Sequence, residues 1–486
     1  CSWFRFSAIC GAFMSRCPGS GDTASATAVG IGGAGLRLVY ANGPSAGQNV
    51  AAGQLVASVV LFNTRLNSLD NITNDLRLTR DLSFGGGSGA FTVGFYKSRQ
   101  DISTEWLWTS HLLEVRGGGN AALIDVVNAA NVRITDGGTV AYGASFFGGC
   151  CRRVYDVSYD TNAPYASVNL EFGGLNLDAS VRWDFGNASG SVFGSDLGGG
   201  RVGTVPTDVD RNGTISRPET LTSVVPLSQP SPVDYSNDYV SYSFGANYRL
   251  SDPLAVFARY SHGGRANADR ILFNGNNLNL TTGALLNSDV AIDFVNQLEI
   301  GAKYRDNGLT LNATVFRATT QEENFEATTQ RVFSRSYRAT GVELEGAYAI
   351  GDFSLTGTIT YTDAKITRDA ISPANEGNRP RRQADFIYQV TPQYSTDLFT
   401  IGANIVGTTS SYAQDNEGLI LPGFAQVNAF LSVRPIERVQ LSINANNLFN
   451  TAGYTEAEEG SIPANGIVRA RSISGRSVSA SIRFDF

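Results

Sequence analysis

The sequence predicts an all-β chain folded as a transmembrane antiparallel up-and-down β-barrel. Three observations predict it: apolar and polar residues alternate with a period of two through most of the chain, only 17% of residues are charged, and short connections alternate with long ones. Soluble domains carry roughly 25% charged residues, so this deficit asks for a wall that excludes charge. The 42% hydrophobic content suffices for a large ordered structure, and 53 Gly with 15 Pro in 486 residues excludes collagen and bulk disorder. The balance of 37 basic against 44 acidic residues, −7 overall, lacks the basic excess of a nucleic-acid surface, so no nucleic-acid partner is expected.

The N-terminal segment, residues 1–50, is poorly defined. CSWFRFSAICGAFMSRC lacks the basic and apolar regions of a signal peptide and begins without an initiator Met, so the chain reads as a fragment or a processed product. Cys1, Cys10, Cys17, Cys150 and Cys151 show no zinc spacing and read as incidental thiols, with Cys10 and Cys17 able to bridge in an oxidising compartment. GIGGAG at 30–35 has neither the preceding buried strand nor the following helix of a dinucleotide site and reads as a linker. The longest apolar run, LVASVVLF at 55–62, is less than half of the ~18 residues a spanning helix needs. Only two histidines, His111 and His262, are present and no G-x-S-x-G elbow occurs, so no catalytic residue is assigned.

From residue 165 onward the alternation is regular. Leu175, Leu177, Ala179, Val181 and Trp183 oppose Asn176, Asp178, Ser180, Arg182 and Asp184. Leu355, Gly357, Ile359 and Tyr361 oppose Ser354, Thr356, Thr358 and Thr360, and Val478, Ala480, Ile482, Phe484 and Phe486 oppose Ser477, Ser479, Ser481, Arg483 and Asp485. Such a pattern fits a sandwich with its apolar face inward or a membrane barrel with that face outward. The connections decide between them. Short turns at 173–174, 251–253, 305–308, 350–352, 395–397 and 435–437 alternate with polar stretches at 186–237, 263–293, 319–335, 365–382, 409–423 and 450–472. In a meander, odd and even connections emerge at opposite ends, so one rim carries tight turns and the other large loops, as in outer-membrane barrels. Tyr242, Tyr248, Phe257, Tyr260, Tyr304, Phe316, Tyr348 and Tyr361 sit toward strand ends, where interfacial girdles are expected. Arg182, Asp184, Glu299, Lys303, Arg317, Glu343, Glu345 and Arg382 are expected on the wet interior, and Arg379, Arg381 and Arg382 either at lipopolysaccharide phosphates or as a solvated charge cluster.

Several segments resemble the β-barrel of TonB-dependent outer-membrane receptors. LSINANNLFNTAGYTE (441–456) is similar to the family's penultimate strand, and GRSVSASIRFDF (475–486) to its closing strand, whose terminal aromatic, here Phe486, is read by the assembly machinery. LEIGAKYRDNGLTLNATVF (298–316), TGVELEGAYAIGDFSLTGTITYTDA (340–364) and YVSYSFGANYRLSDPLAVFARYSHG (239–263) resemble its hairpins. The resemblance implies a Gram-negative outer-membrane barrel of 22 strands with an N-terminal plug, importing a scarce solute such as a siderophore or oligosaccharide with energy from TonB. It implies outer-membrane lipid, lipopolysaccharide, the solute and, through the plug, the TonB complex as partners. No plug or TonB box is read here, residues 51–486 are assigned to the barrel, and roughly 13 strands are read after residue 165. A passive porin is the alternative, and an outer-membrane hydrolase a more distant one.

The sharpest local motif is DVDRNGTISRPE at 208–219. As a twelve-residue calcium loop it places Asp208, Asp210 and Asn212 at positions 1, 3 and 5, Gly213 at the turn, the Thr214 carbonyl at 7, Ser216 at 9 and Glu219 as the bidentate ligand at 12. A hard cation wants six or seven oxygens, and alternate side chains around a tight turn converge on one point. Pro218 falls where an exit helix would start and would shorten it.

Overall fold

The computed structural model describes residues 12–16, 36–51, 54–115, 120–142, 153–194, 203–206, 208, 212–224, 230–273, 277–326, 331–457, 468 and 470–485. Fifteen long strands form the barrel wall among them: β1 (Leu55–Phe84), β2 (Gly87–Glu114), β3 (Arg153–Phe172), β4 (Leu175–Gly194), β5 (Ser231–Ser251), β6 (Leu254–Ala266), β7 (Ile292–Asp306) and β8 (Leu309–Glu326), then β9 (Arg331–Ile350), β10 (Phe353–Asp369), β11 (Phe386–Ser395), β12 (Phe399–Thr408), β13 (Phe424–Ile436), β14 (Val439–Asn446) and β15 (Ser477–Phe484). Each pairs antiparallel with the next in sequence, so the wall is an uninterrupted meander. The short strand Ala12–Arg16 adds to β1, and Thr139–Tyr142 to β2, completing a 17-stranded sheet. Among the described residues no helix is long and apolar enough to cross a membrane. Backbone polar groups in hydrocarbon must be paired within the structure, and a wall of sequential ladders does this.

At one end all seven hairpins close in two or three residues. Asn307 and Gly308 illustrate why: φ values of 45° and 78° put both in the left-handed region that a twisted two-residue hairpin requires, and the pair Asn-Gly adopts it at least cost. At the other end the connections are long, but several are shorter than expected. Residues 319–335, expected as a loop, are largely strand, since β8 runs to Glu326 and β9 starts at Arg331. Likewise β4 reaches Gly194, β5 starts at Ser231 and β10 reaches Asp369, inside stretches expected as loop. Strands that rise beyond the hydrocarbon meet water on both faces, so their sequence turns polar while their ladder continues.

The orientation of the faces follows from exposure. Ile300 (57%), Val315 (54%) and Ile359 (43%) are open on the outer surface, and Trp183, Val181, Phe244, Leu344, Ile401 and Ile443 share that phase. Apolar residues thus face outward, as a lipid-facing wall requires. The longest strands, β1 and β2, lie where the sequence pattern was diffuse, because a register shift between Leu66 and Ser68 resets the alternation.

Two of the expected girdle aromatics point inward instead. Phe257 shares its face with Arg259 and pairs with Gly301, and Phe316 shares its face with Thr314 and pairs with Gly341. A Cβ at Gly301 would sit 2.5 Å from Phe257 Cε1, and one at Gly341 2.5 Å from Phe316 Cζ, so each ring lies directly on a bare backbone. Among the described residues, buried apolar clusters lie at the long-loop ends of the strands and in their connections; in one, Leu36, Leu38, Val56, Leu112, Ile124 and Val126 pack the pair Arg37–Tyr40 and Ile124–Val127 against the far ends of β1 and β2.

Candidate functional site

The inner wall is polar and part of its charge is paired. Arg182 holds Asp184 with two charge-assisted bonds, Nε at 2.8 Å and Nη2 at 2.7 Å, while its guanidinium stacks 4.9 Å from the Tyr96 ring centroid. Tyr165 donates its hydroxyl to Asp75 at 2.7 Å, and Arg259 reaches Ser243 at 3.3 Å. Glu299, Lys303, Glu343 and Glu345 take the inner phase as expected. Arg317 does not. It pairs with Leu298 and Thr340 on the outer face, one row past Val315, beyond the apolar band. An outward charge is tolerated where a strand has risen past the hydrocarbon.

The densest polar construction lies at the long-loop rim. Arg335, near the start of β9 and buried, is forked between two buried carboxylates, Nε to Asp369 Oδ2 and Nη1 to Asp415 Oδ2, both at 2.7 Å. Asp369 ends β10 and also accepts from the Ile371 and Ser372 amides and from Asn375 Nδ2, which folds the chain back after the strand. Asp415, in the β12–β13 connection, accepts from the Arg381 amide at 3.0 Å. Arg379 pairs with Asp385 at 2.8 Å and donates its amide to Glu417, and Arg382 pairs with Glu456 at 2.8 Å, to which Arg471 also comes within 3.5 Å. The three connections that follow β10, β12 and β14 are thereby tied together. Arg382 is held at φ 65°, a strained conformation for a non-glycine residue, by its amide on the Tyr412 carbonyl and its guanidinium on Glu456 and the Ala457 carbonyl. Arg379, Arg381 and Arg382, expected at lipid phosphates, are engaged by this lattice. Asn447, of the NNLF run, is buried and bonds Thr451 through both amide atoms and the Ser474 carbonyl, fastening both ends of the last long loop.

Local electrostatics make the rim sensitive to acid. Burial opposes ionisation of Asp369, but the Ser372 amide, the Asn375 side chain and Arg335 outweigh it and hold its pKa below the ordinary 3.8. A carboxyl lowered on folding adds stability that is full above its unfolded pKa and lost as pH falls through its folded one. Protection of the Ile371 and Ser372 amides is therefore expected to stay constant from neutral pH to about pH 4 and to drop below it. Hydrogen exchange corrected for intrinsic rates checks this; protection unchanged at about pH 2.5 would contradict it.

Of the six expected calcium ligands, Asp210 lies outside the described residues. Asp208 accepts from the Asn212 amide at 3.1 Å and the Gly213 amide at 2.9 Å, and Asn212 Oδ1 accepts from the Thr214 amide at 2.8 Å. Gly213 takes φ 84°, the tight turn expected there. At the far end Glu219 Oε2 accepts from both the amide and the hydroxyl of Ser216 at 2.9 Å, capping the 3-10 turn Pro218–Leu221. The short helix that Pro218 was expected to impose is this 3-10 turn. The loop brings hard oxygen donors together at each end, and its own amides and hydroxyl already use several of them. Among the described residues no group of three or more His, Cys, Asp or Glu is placed to hold a metal.

Comparison with known proteins places this architecture. A family model described as "TonB dependent receptor-like, beta-barrel" matches residues 24–448. A "Probable TonB-dependent siderophore receptor PiuA" of Acinetobacter baumannii is 24% identical over 247 residues, 46% of this chain and 31% of that protein. The crystal structure of the siderophore receptor PiuA from Acinetobacter baumannii aligns with a TM-score of 0.57 at 16% identity, over 89% of this chain and 57% of that one. The ferric citrate transporter FecA gives 0.56 at 12% identity over 90% and 56%, and the ferric yersiniabactin uptake receptor FyuA from Yersinia pestis 0.53 at 16% over 89% and 60%. The chain thus spans less than two thirds of each of these relatives, and at such identities the structural likeness speaks for the fold.

Proposed function

Because this chain belongs to the TonB dependent receptor-like β-barrel family, we propose that it forms the translocation wall of an outer-membrane receptor that takes up a scarce solute with energy from TonB. The observation that carries the reading is the family match over residues 24–448 of a wall with an apolar exterior, a polar interior and its large loops at one rim. The relatives' names favour an iron-siderophore chelate as the solute. The TonB complex is its energy partner, outer-membrane lipid its solvent, and it has no catalytic role. Uptake of radiolabelled iron chelates by a deletion strain complemented with the full-length gene tests the reading. Accumulation that stops when TonB or the proton gradient is removed is expected. Accumulation indifferent to both, with steady ion conductance of the purified protein in planar bilayers, would favour the passive porin instead.

The 208–219 loop is proposed as a calcium site that stiffens the β4–β5 connection, the ion displacing the amide and hydroxyl donors that now occupy Asp208 and Glu219. The oxygen-rich donor set supports it. Extracellular modules bind calcium with dissociation constants on the order of 0.1–1 mM, so calorimetric titration is expected to show saturable heat in that range and none in an Asp208→Ala, Glu219→Ala variant. Equal heats from both proteins would remove the site.

A further inference from the structure

The registers of β8, β9 and β10 set out the outer face row by row. Starting near the tight turns, the rows are Ala313, Leu344, Ile359; then Val315, Val342, Tyr361; then Arg317, Thr340, Asp363; then Thr319, Arg338, Lys365; then Gln321, Ser336, Arg368. Two apolar rows give way to three that hold four cations against one carboxylate. Arg338 and Lys365 stand directly opposite one another, an arrangement that by itself destabilises a sheet. Arg317, Lys365 and Arg368 are exposed, and no ion pair or side-chain hydrogen bond among the described residues engages any of the four.

On β2 and β3 of the same outer surface such charges are neutralised. Arg99 pairs with Asp101 at 3.1 Å and Lys97 with Asp160 at 3.2 Å, in phase with the outward Phe91, Val93 and Phe95. These paired charges contrast with the gathering of four bare cations on β8–β10. Their height is also telling. Tyr361 packs against Phe386 at 4.9 Å between centroids with the rings tilted, a girdle pair of the kind that sits at the headgroup boundary. A row advances about 6.6 Å along a strand, or about 5 Å along the membrane normal at 45° tilt, so the three cationic rows stand about 5–15 Å beyond Tyr361, starting within the headgroup layer.

On the outer-membrane reading above, we propose that Arg317, Arg338, Lys365 and Arg368 form a binding face for the phosphate groups of a phosphorylated lipid of the outer leaflet, of the lipopolysaccharide class. The acyl chains lie on Val315, Val342, Leu344 and Ile359 while the phosphates bridge the opposed Arg338 and Lys365 and relieve their repulsion. The continuity of apolar band, aromatic girdle and unpaired cations matches the layered chemistry of such a lipid and of no soluble anion.

The test compares the full-length protein with a variant carrying R317Q, R338Q, K365Q and R368Q, a second carrying R317K, R338K and R368K, and a control carrying K97Q and R99Q. Lipid A retained per barrel after detergent purification is expected to fall at least about tenfold in the glutamine variant and to stay near the parent value in the other two. Heat-modifiable migration in SDS gels reports folding, and single R338Q and K365Q variants replace the quadruple one should it not fold. Binding of the parent to lipid A vesicles, with phosphatidylcholine vesicles and inorganic phosphate as separate arms, is expected for lipid A alone and to weaken with salt. Retention and vesicle binding unchanged by the glutamine substitutions, or binding of inorganic phosphate alone, would overturn the proposal. A parent protein found outside the outer-membrane fraction would instead sink the localisation, and the vesicle arm still decides the cationic face.

Discussion

Replacing Arg335 by alanine is expected to destabilise the long-loop rim by about 3–5 kcal/mol, the largest single effect available there. The guanidinium is buried between Asp369 and Asp415 at 2.7 Å each, so its removal leaves two carboxylates out of water and facing one another. Removing one partner of a buried charge network costs more than the network contributes in net stability, because the orphaned charges keep their desolvation penalty. The loss should not stop at one residue. Asp369 organises the turn after β10 through three further bonds, and Asp415 holds the Arg381 amide, so connections distant in sequence are expected to loosen together. Limited proteolysis is the direct readout: cleavage within 370–385 and 409–423 should accelerate while the barrel keeps its heat-modifiable migration. Arg335→Lys should fall short of restoring the parent, because one ammonium cannot present the planar fork that spans two carboxylates. Cleavage kinetics of the alanine variant indistinguishable from the parent would show that the triad fastens nothing.

The sequence disclosed the wall more fully than the rim, for a physical reason. Inside the membrane each strand has lipid on one face and water on the other, so Leu175 to Asp184 and Ser354 to Tyr361 print a period of two that can be read residue by residue. The Asn307–Gly308 turn is likewise legible, because few other pairs tolerate its backbone. Beyond the lipid that contrast vanishes. Thr319, Thr320, Gln321, Glu322 and Glu323 are polar on both faces and read as loop, although their ladder to β9 is unbroken. The same blindness sent Arg317 to the lumen, since alternation identifies faces but not height, and a charge on the outer phase is forbidden only within the hydrocarbon. The lattice around Arg335 left no local trace at all. Its partners lie 34 and 80 residues away, a separation that no spacing rule within one segment can register.

A pair of adjacent substitutions separates the barrel from any inward-packed alternative. Ile359 and Thr358 are neighbours on β10, Ile359 one outer row inside the girdle at Tyr361, yet they face opposite media. Ile359 stands on the outer surface between Leu344 and Tyr388, whereas Thr358 lies on the inner face beside Glu345 and Gln389. Arginine on the lipid face costs about 2–4 kcal/mol at the membrane midplane and about 0–1 kcal/mol at the interfaces, so one row inside the girdle it should cost about 1–2 kcal/mol, because the guanidinium must be drawn from water into hydrocarbon. Arginine on the inner face meets water and the Glu345 carboxylate, and its cost should be close to zero. Ile359→Arg is therefore expected to lower the midpoint of denaturant-induced unfolding in lipid vesicles by an amount equivalent to that range, and Thr358→Arg to leave it unchanged. A sandwich with its apolar layer inside also penalises a charge at Ile359, so the medium supplies the discriminating arm. In the barrel the penalty should shrink when the protein is moved to short-chain detergent, where the guanidinium reaches water easily, while a charge buried between two sheets would cost the same in either. Equal penalties in both media, or a larger one for Thr358→Arg, would reverse the assignment of the faces.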